Sequence, residues 1–252
     1  MPEKIDLEVI KEIAKNAGDA VMKIYEQDFS VKYKADASPL TQADLESNAI
    51  ICAALTKYYP EIPILSEENK AAAYEDRQKW DYFWLIDPID GTKEFVKKNG
   101  EFTINIALVH HGRPILGVVY APVLEDMYAA SRGEGAFKNG QRLPLKINND
   151  PKKKLRVVAS KSHLSQETQD FIDALETEII EQISKGSSLK LCLVAEGEAD
   201  IYPRMGPTME WDTAAAHAVV LESGKSVVQF ESGEEVIYNK ENLLNPWFIV
   251  KS

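Results

Sequence analysis

The sequence predicts a protein of layered α and β structure, and three observations carry that prediction. Apolar residues at Ile10, Ile13, Ala14, Ala17, Val21 and Ile24 repeat with helical spacing over residues 5–25. The middle of the chain holds a run of short apolar strands, at 102–110, 115–121, 127–131 and 135–138, joined by turns. Further on, strand and helix patterns alternate: a strand at 155–159, a helix at 165–175, a strand at 178–183 and a helix at 189–196.

The remaining elements follow in order. The second helix begins near Thr41 and ends before Pro60, and Thr41-x-x-Asp44 fits a capping box, which is reason enough for both residues. A short strand at 62–65 runs into Glu67 and Glu68, and the polar stretch 70–79 reads as a loop. The strand at 83–86 ends in Asp87-Pro88-Ile89-Asp90-Gly91-Thr92. There Pro88 fixes φ and ends the ladder, Gly91 permits a tight bend, and Thr92 stands where a helix can start. His111-Gly112-Arg113-Pro114 is a turn, and Asn139-Gly140 is a strong hairpin signal. The charged segment 148–154, with Pro151, is the expected boundary between an α+β lobe over 1–150 and an α/β lobe over 151–252. After a strand at 199–203, Trp211-Asp212 opens a helix that closes at Gly224. Late strands are expected at 227–230, 235–238 and 248–250.

Composition narrows the function. With 252 residues, 44% of them hydrophobic and 27% charged, the chain reads as a soluble globular protein with a sizeable core. No apolar run is long enough to span a bilayer, and the first six residues lack the form of a signal peptide. A cytosolic location is therefore expected, compatible with peripheral attachment at the inner face of the membrane. Cys52 and Cys192 sit in apolar contexts and read as two buried free thiols. The net charge of −11 argues against binding a nucleic-acid polymer. It admits a small anion, provided that divalent cations first neutralise the acids.

Four predicted element termini carry acids beside apolar runs: Asp44, Glu67 with Glu68, Asp87 with Asp90, and Asp212. Each has a plain reading as a cap or an exposed loop acid. Elements that pack side by side bring such termini to one edge. Several carboxylates from different elements can hold Mg²⁺, which takes oxygen ligands and keeps water and phosphate oxygens in its shell. A two-metal site of that kind polarises a phosphoryl group.

These segments resemble the magnesium-dependent, lithium-sensitive phosphatase superfamily that includes the inositol monophosphatases. The matching motifs are Leu65-Ser66-Glu67-Glu68, Trp84-Leu85-Ile86-Asp87-Pro88-Ile89-Asp90-Gly91-Thr92 and Trp211-Asp212-Thr213-Ala214-Ala215-Ala216. The resemblance implies a layered α/β/α/β/α sandwich. It implies Mg²⁺ held by Glu67, Asp87, Asp90 and Asp212, with the Ile89 carbonyl as a further ligand. Thr92 and Glu68 would orient or activate the attacking water, with Asp44 supporting that region. The hydrolysed phosphate would meet Glu67, Asp212 and the turn Ile89-Asp90-Gly91-Thr92.

Within that superfamily the chain is most similar to the 3'(2'),5'-bisphosphate nucleotidases of the CysQ type. The segments are Ala159-Ser160-Lys161-Ser162-His163, Gly186-Ser187-Ser188-Leu189-Lys190 and Tyr202-Pro203-Arg204-Met205-Gly206-Pro207-Thr208. Arg204 stands where the inositol-specific enzymes carry an acid for sugar hydroxyls. A guanidinium matches a second phosphate instead. His163, Ser187, Lys190 and Arg204 are the candidates for that second group. Plain readings stand beside this one: His163, Ser187 and Ser188 as helix caps, Lys190 and Arg204 as surface charges. The resemblance thus implies a small nucleotide bisphosphate substrate, adenosine 3',5'-bisphosphate, with 3'-phosphoadenosine 5'-phosphosulfate as a second candidate. It also implies a place in sulfur metabolism. An inositol monophosphatase or sugar bisphosphatase on the same scaffold is the alternative. No segment declares an interface, so a monomer and a homodimer both stand.

Overall fold

The helical spacing at the start of the chain becomes α1 (Leu7–Tyr25). The Asp6 carboxylate caps it, accepting from the Glu8 N–H at 2.9 Å. The computed structural model describes residues 5–27, 30–33, 39–146, 155–160, 164–175 and 180–251. A two-stranded ribbon, β1 (Val31–Tyr33) with β2 (Pro39–Thr41), leads into α2 (Gln42–Tyr58). Ile10, Ile13, Ala14, Ala17 and Val21 of α1 join Ile51 and Leu55 of α2 in one apolar cluster on the first sheet.

That sheet has seven strands in chain order: β3 (Ile64–Ser66), β4 (Tyr82–Asp90), β5 (Thr103–His110), β6 (Arg113–Ala121), β7 (Asp126–Ser131), β8 (Gly135–Lys138) and β9 (Gln141–Arg142). β3 runs parallel to β4, and every other pair is antiparallel. The Asn139-Gly140 hairpin joins β8 to β9, both residues at positive φ as the tight turn requires. Trp84, Ile86, Ile104, Ile106 and Leu108 face α1 and α2. Phe83, Leu85, Ala107 and Val109 face the other way. Both faces are covered, which explains why these strands are apolar throughout instead of alternating.

The second sheet has the order β11 (Ile180–Lys185), β10 (Leu155–Ser160), β12 (Ile201–Arg204), β14 (Phe248–Lys251), β13 (Ser226–Gln229). Between the sheets lie α6 (Leu189–Glu196) and α7 (Ala214–Glu222). Their apolar residues share one cluster with Leu85 and Val119 of the first sheet and with Val158, Tyr202 and Val250 of the second. On the far side, Ile172 of α5 (Gln166–Asp173) packs on Val157 and Ala159. The layers are therefore α/β/α/β/α, as expected. Residues 214–220 of α7 are all buried, as a helix between two sheets must be.

Four expectations change. The polar stretch 70–79 contains a short helix, α3 (Tyr74–Arg77), which the buried Arg77 anchors by donating to the Ala72 and Lys240 carbonyls. β4 does not end at Pro88 but continues to Asp90, because the ladder resumes there. Residues 235–238 form no strand. They make a single bridge, Val228 to Glu235, because the Tyr238 N–H is taken by the Gly112 carbonyl at 2.9 Å. Cys192 is buried, but Cys52 is only partly so, since its thiol faces Asn48 and Asn69; both thiols are free. The expected lobe boundary at 148–154 lies outside the described residues. Among the described residues, no helix is long and apolar enough to cross a membrane.

Gly117 on β6 lets α7 seat on the first sheet. A Cβ there would lie 2.1 Å from the Ala215 carbonyl oxygen. Gly117→Ala is therefore expected to destabilise by about 3 kcal/mol or more, read as a fall in the thermal midpoint. An unchanged midpoint would contradict this close approach.

Candidate active site

Two parallel strands bring the first acids together. Leu65 stands opposite Leu85 and Ser66 opposite Ile86, and the Glu67 N–H donates to the Ile86 carbonyl at 3.2 Å. The strands thus end side by side, with Glu67 next to Asp87. β4 then takes one extra residue: Asp87 pairs with Asn105, but Asp90 pairs with Thr103, three steps against two. Opposed residues share a face of a sheet, and so do alternate residues of one strand. The bulge therefore puts Asp87 and Asp90 on one face, where a regular strand would separate them. It is the face covered by α6 and α7, shared with Phe83 and Leu85. Ser47 of α2 donates to the Pro88 carbonyl at 2.8 Å, and the Ile89 N–H donates to Asp87 Oδ1 at 3.0 Å. These bonds satisfy backbone groups that the interrupted ladder leaves free.

Asp212 arrives from the other half of the chain. It does not cap α7; its Oδ2 accepts the Met209 N–H at 2.9 Å and closes the turn before the helix. Buried Glu210 braces that turn, accepting from the Asn239 N–H at 2.6 Å and the Lys240 N–H at 3.0 Å. Glu67, Asp87 and Asp212 each present an oxygen within 4.8 Å of the others. Asp90 stands beside this trio, its Oδ2 3.4 Å from Asn105 Nδ2.

Such crowding has electrostatic consequences. Burial pushes the Asp87 carboxyl well above its ordinary value, and the charges of Glu67, Asp90 and Asp212 push the same way. Asp212 is raised by burial, then by Asp90 and Glu67. Burial raises Asp90 too, but Lys190 and hydrogen bonds from Ser188 hold it back. Lys190 is lowered to about 8 by burial, against the pull of Asp90. An all-oxygen cluster of like charges, with no histidine or cysteine in it, is the donor set of a hard divalent cation.

Asp44 holds both of the roles the sequence left open. Its Oδ2 accepts the Thr41 N–H and hydroxyl, both at 2.7 Å, so the capping box exists. Its Oδ1 accepts the Thr92 hydroxyl at 3.2 Å, and that hydroxyl is also 3.2 Å from the Ile89 carbonyl. Gly91, at φ 91°, turns the chain from β4 into the short helix α4 (Thr92–Val96). Burial raises the Asp44 pKa, the Thr41 bonds oppose this, and the charge of Glu68 adds to it.

A cleft of about 610 Å³ gathers most of the predicted residues: Glu67, Asp87, Ile89, Asp90, Gly91, Thr92, Ser187, Lys190, Arg204 and Asp212 all line it. Asp44 and Glu68 stand outside its lining, and His163 lies outside the described residues. Lys190 is buried, not a surface charge, and donates to the Ser187 carbonyl at 2.6 Å. Arg204 is braced by Thr208 Oγ1 and the Pro207 carbonyl, each at 2.8 Å. Ser188 occupies the N-cap position of α6 without capping it; its hydroxyl donates to the Asp212 carbonyl at 2.6 Å. Ser47, Asn105, Thr208 and Glu210 were not expected at the site. Asn105 alone carries a sequence signal, a carboxamide in the middle of an apolar strand.

Comparison with known proteins now decides the family. The model of the inositol monophosphatase family matches residues 5–247. The chain belongs to that family. It is 47% identical over 249 residues to the 3'(2'),5'-bisphosphate nucleotidase CysQ of Escherichia coli K12, covering 97% of this chain and 98% of that protein. The crystal structure of CysQ from Bacteroides thetaiotaomicron, a bacterial family member, superposes with a TM-score of 0.88 at 44% identity, covering 98% of this chain and 96% of the other. The Thermotoga maritima IMPase superposes with a TM-score of 0.81 at 29% identity, covering 97% and 91%.

The acid cluster should be visible in stability. The folded-state pKa values of Asp87 and Asp212 lie above the ordinary 3.8. Above that pH the unfolded chain releases protons that the folded chain keeps, so stability falls as pH rises through the window. Asp87→Asn, measured in chelator, is expected to raise the thermal midpoint at pH 8 by about 3–6 °C, or about 1–2 kcal/mol. The gain should shrink toward pH 5. A lower midpoint at pH 8 would show that these carboxylates do not repel one another.

Proposed function

We propose that this chain is a metal-dependent phosphomonoesterase that hydrolyses the 3'-phosphate of adenosine 3',5'-bisphosphate, giving AMP and inorganic phosphate. The observation that carries the reading is one cleft lined by both a carboxylate cluster and basic residues, Lys190 and Arg204 among them. The relatives named 3'(2'),5'-bisphosphate nucleotidase support a nucleotide bisphosphate as the substrate class.

Mg²⁺ is the proposed metal, held by Glu67, Asp87, Asp90, Asp212 and the Ile89 carbonyl. When bound, it supplies the positive charge that admits a phosphate among carboxylates and draws electron density from phosphorus. The protein's own groups do the rest. Asp44 Oδ1 takes the Thr92 proton in a hydrogen bond, which leaves the Thr92 lone pairs to accept one from water. With Glu68 accepting the other proton, the water's lone pair is turned to phosphorus. Water attacks in line, the bond from phosphorus to the ribose 3'-oxygen breaks, and that oxygen leaves with the bonding electrons and takes up a proton from solvent, balancing the one that the attacking water gives up. Gly91 and Thr92 line the cleft, where their backbone N–H groups would donate to phosphate oxygens. No covalent intermediate forms.

Lys190 and Arg204 anchor the spectator 5'-phosphate, with Ser187 and His163 as further contacts. Arg204 suits this task because its loop holds the guanidinium plane before substrate arrives.

Phosphate release with Mg²⁺ should strongly favour adenosine 3',5'-bisphosphate over inositol 1-phosphate. Equal or reversed preference would keep the phosphatase and reject the nucleotide. Asp90→Asn is expected to lower kcat by at least about a hundredfold while the fold persists. Arg204→Glu should raise KM for the bisphosphate at least about tenfold and leave a monophosphate substrate little changed. Equal losses on both substrates would remove the spectator role.

A further inference from the structure

Asp90 and Asp212 lie far apart in the chain, one on a strand of the first sheet and one in the turn before α7. A cation that uses both needs them at a fixed spacing. Asn105 and Ser188 touch both segments. Asn105 projects from β5, its Nδ2 3.4 Å from Asp90 Oδ2 and 2.9 Å from Ser188 Oγ. The Ser188 hydroxyl donates to the Asp212 carbonyl at 2.6 Å. Both side chains are buried, with 1% exposure each.

The distances favour one direction for the bonds in this chain. The Asp212 carbonyl only accepts, so it takes the one proton of the Ser188 hydroxyl. Ser188 Oγ must then accept from Asn105. Asn105 must present its amide nitrogen there, and the second N–H points to Asp90, whose carboxylate accepts. Flipping the amide would set its oxygen against a carboxylate and a hydroxyl with no proton left to give. This arrangement of protons satisfies both ends.

We propose that Asn105 and Ser188 are positioning residues that lock the Asp90 carboxylate to the Asp212 turn and so set the spacing of the metal-binding acids. The proposal rests on the function above only in taking these acids as metal ligands. Other observations support it. Asparagine is a poor strand residue, yet Asn105 occupies the interior of β5, and its Oδ1 has no partner among the described residues. Packing alone would favour an apolar side chain there. Capping does not account for Ser188, since its hydroxyl makes no cap bond.

The test measures Mn²⁺ binding by calorimetry to the full chain without substrate, with thermal midpoints in chelator alongside. The variants are Ser188→Ala, Asn105→Ala, their double, and Ser223→Ala as control. Ser223 donates a bond of similar kind, to the Val220 carbonyl at 2.7 Å, at the remote end of α7. Each single variant should raise the Mn²⁺ Kd at least about tenfold. The double should be no more than about threefold weaker than the worse single, because either change breaks the same chain of bonds. Midpoints in chelator should fall no further than that of Ser223→Ala. An unchanged Kd, fully multiplying effects, or equal weakening by Ser223→Ala would overturn the proposal. Should Ser188→Ala fail to fold, Ser188→Cys keeps the volume and gives the same comparison. Wild-type protein that binds Mn²⁺ but releases no phosphate from adenosine 3',5'-bisphosphate would reject the substrate and leave this proposal standing. Wild type that binds no Mn²⁺ would reject both.

Discussion

The extra residue between Asp87 and Asp90 sets the geometry on which the cleft depends. Without it the two carboxylates would lie on opposite faces of β4, one of them under α1 and α2 in an apolar layer. With it, both face the layer that also carries Asp212 and Lys190. The bulge persists because its neighbours satisfy it: Ser47 takes the Pro88 carbonyl, and Asp87 takes the Ile89 N–H. A bulge held in this way re-aims side chains at modest cost to the ladder.

The sandwich then carries an unfavourable charge arrangement. Buried carboxylates that raise one another's pKa oppose folding, and apolar layers on both sides of the first sheet offset that cost. Stability is given up where the cleft needs charge, a pattern expected of functional sites. Lys190 relieves part of the repulsion from within the cleft, which explains why a lysine is tolerated in so buried a place.

Much of the fold was legible in the sequence. Helical spacing located α1, the Thr41-x-x-Asp44 box and Pro60 bounded α2, and Asn139-Gly140 located a hairpin, because each signal is local. Residues 189–196 were read as a helix and form α6 with those bounds. Legibility failed where tertiary partners decide. Pro88 reads as the end of a strand, but Ser47 from another element allows the ladder to resume. Residues 235–238 alternate like a strand, but Gly112 takes the hydrogen bond a ladder would need. The acids stood out through their motifs, while their convergence within 4.8 Å follows from strand order and from α7, which no local pattern specifies. Glu210 acts through partners 29 and 30 residues away and left no trace in the sequence, and Asn105 left only a carboxamide in an apolar strand.

The all-round burial of α7 has a consequence for assembly. A nine-residue helix buried at every position from 214 to 220 has little to hold it in water by itself. It forms when both sheets are present to enclose it, and Asp212 comes into place with it. The carboxylate trio is therefore complete only where both sheets enclose α7. A chain lacking the second sheet would present Glu67 and Asp87 without their third member.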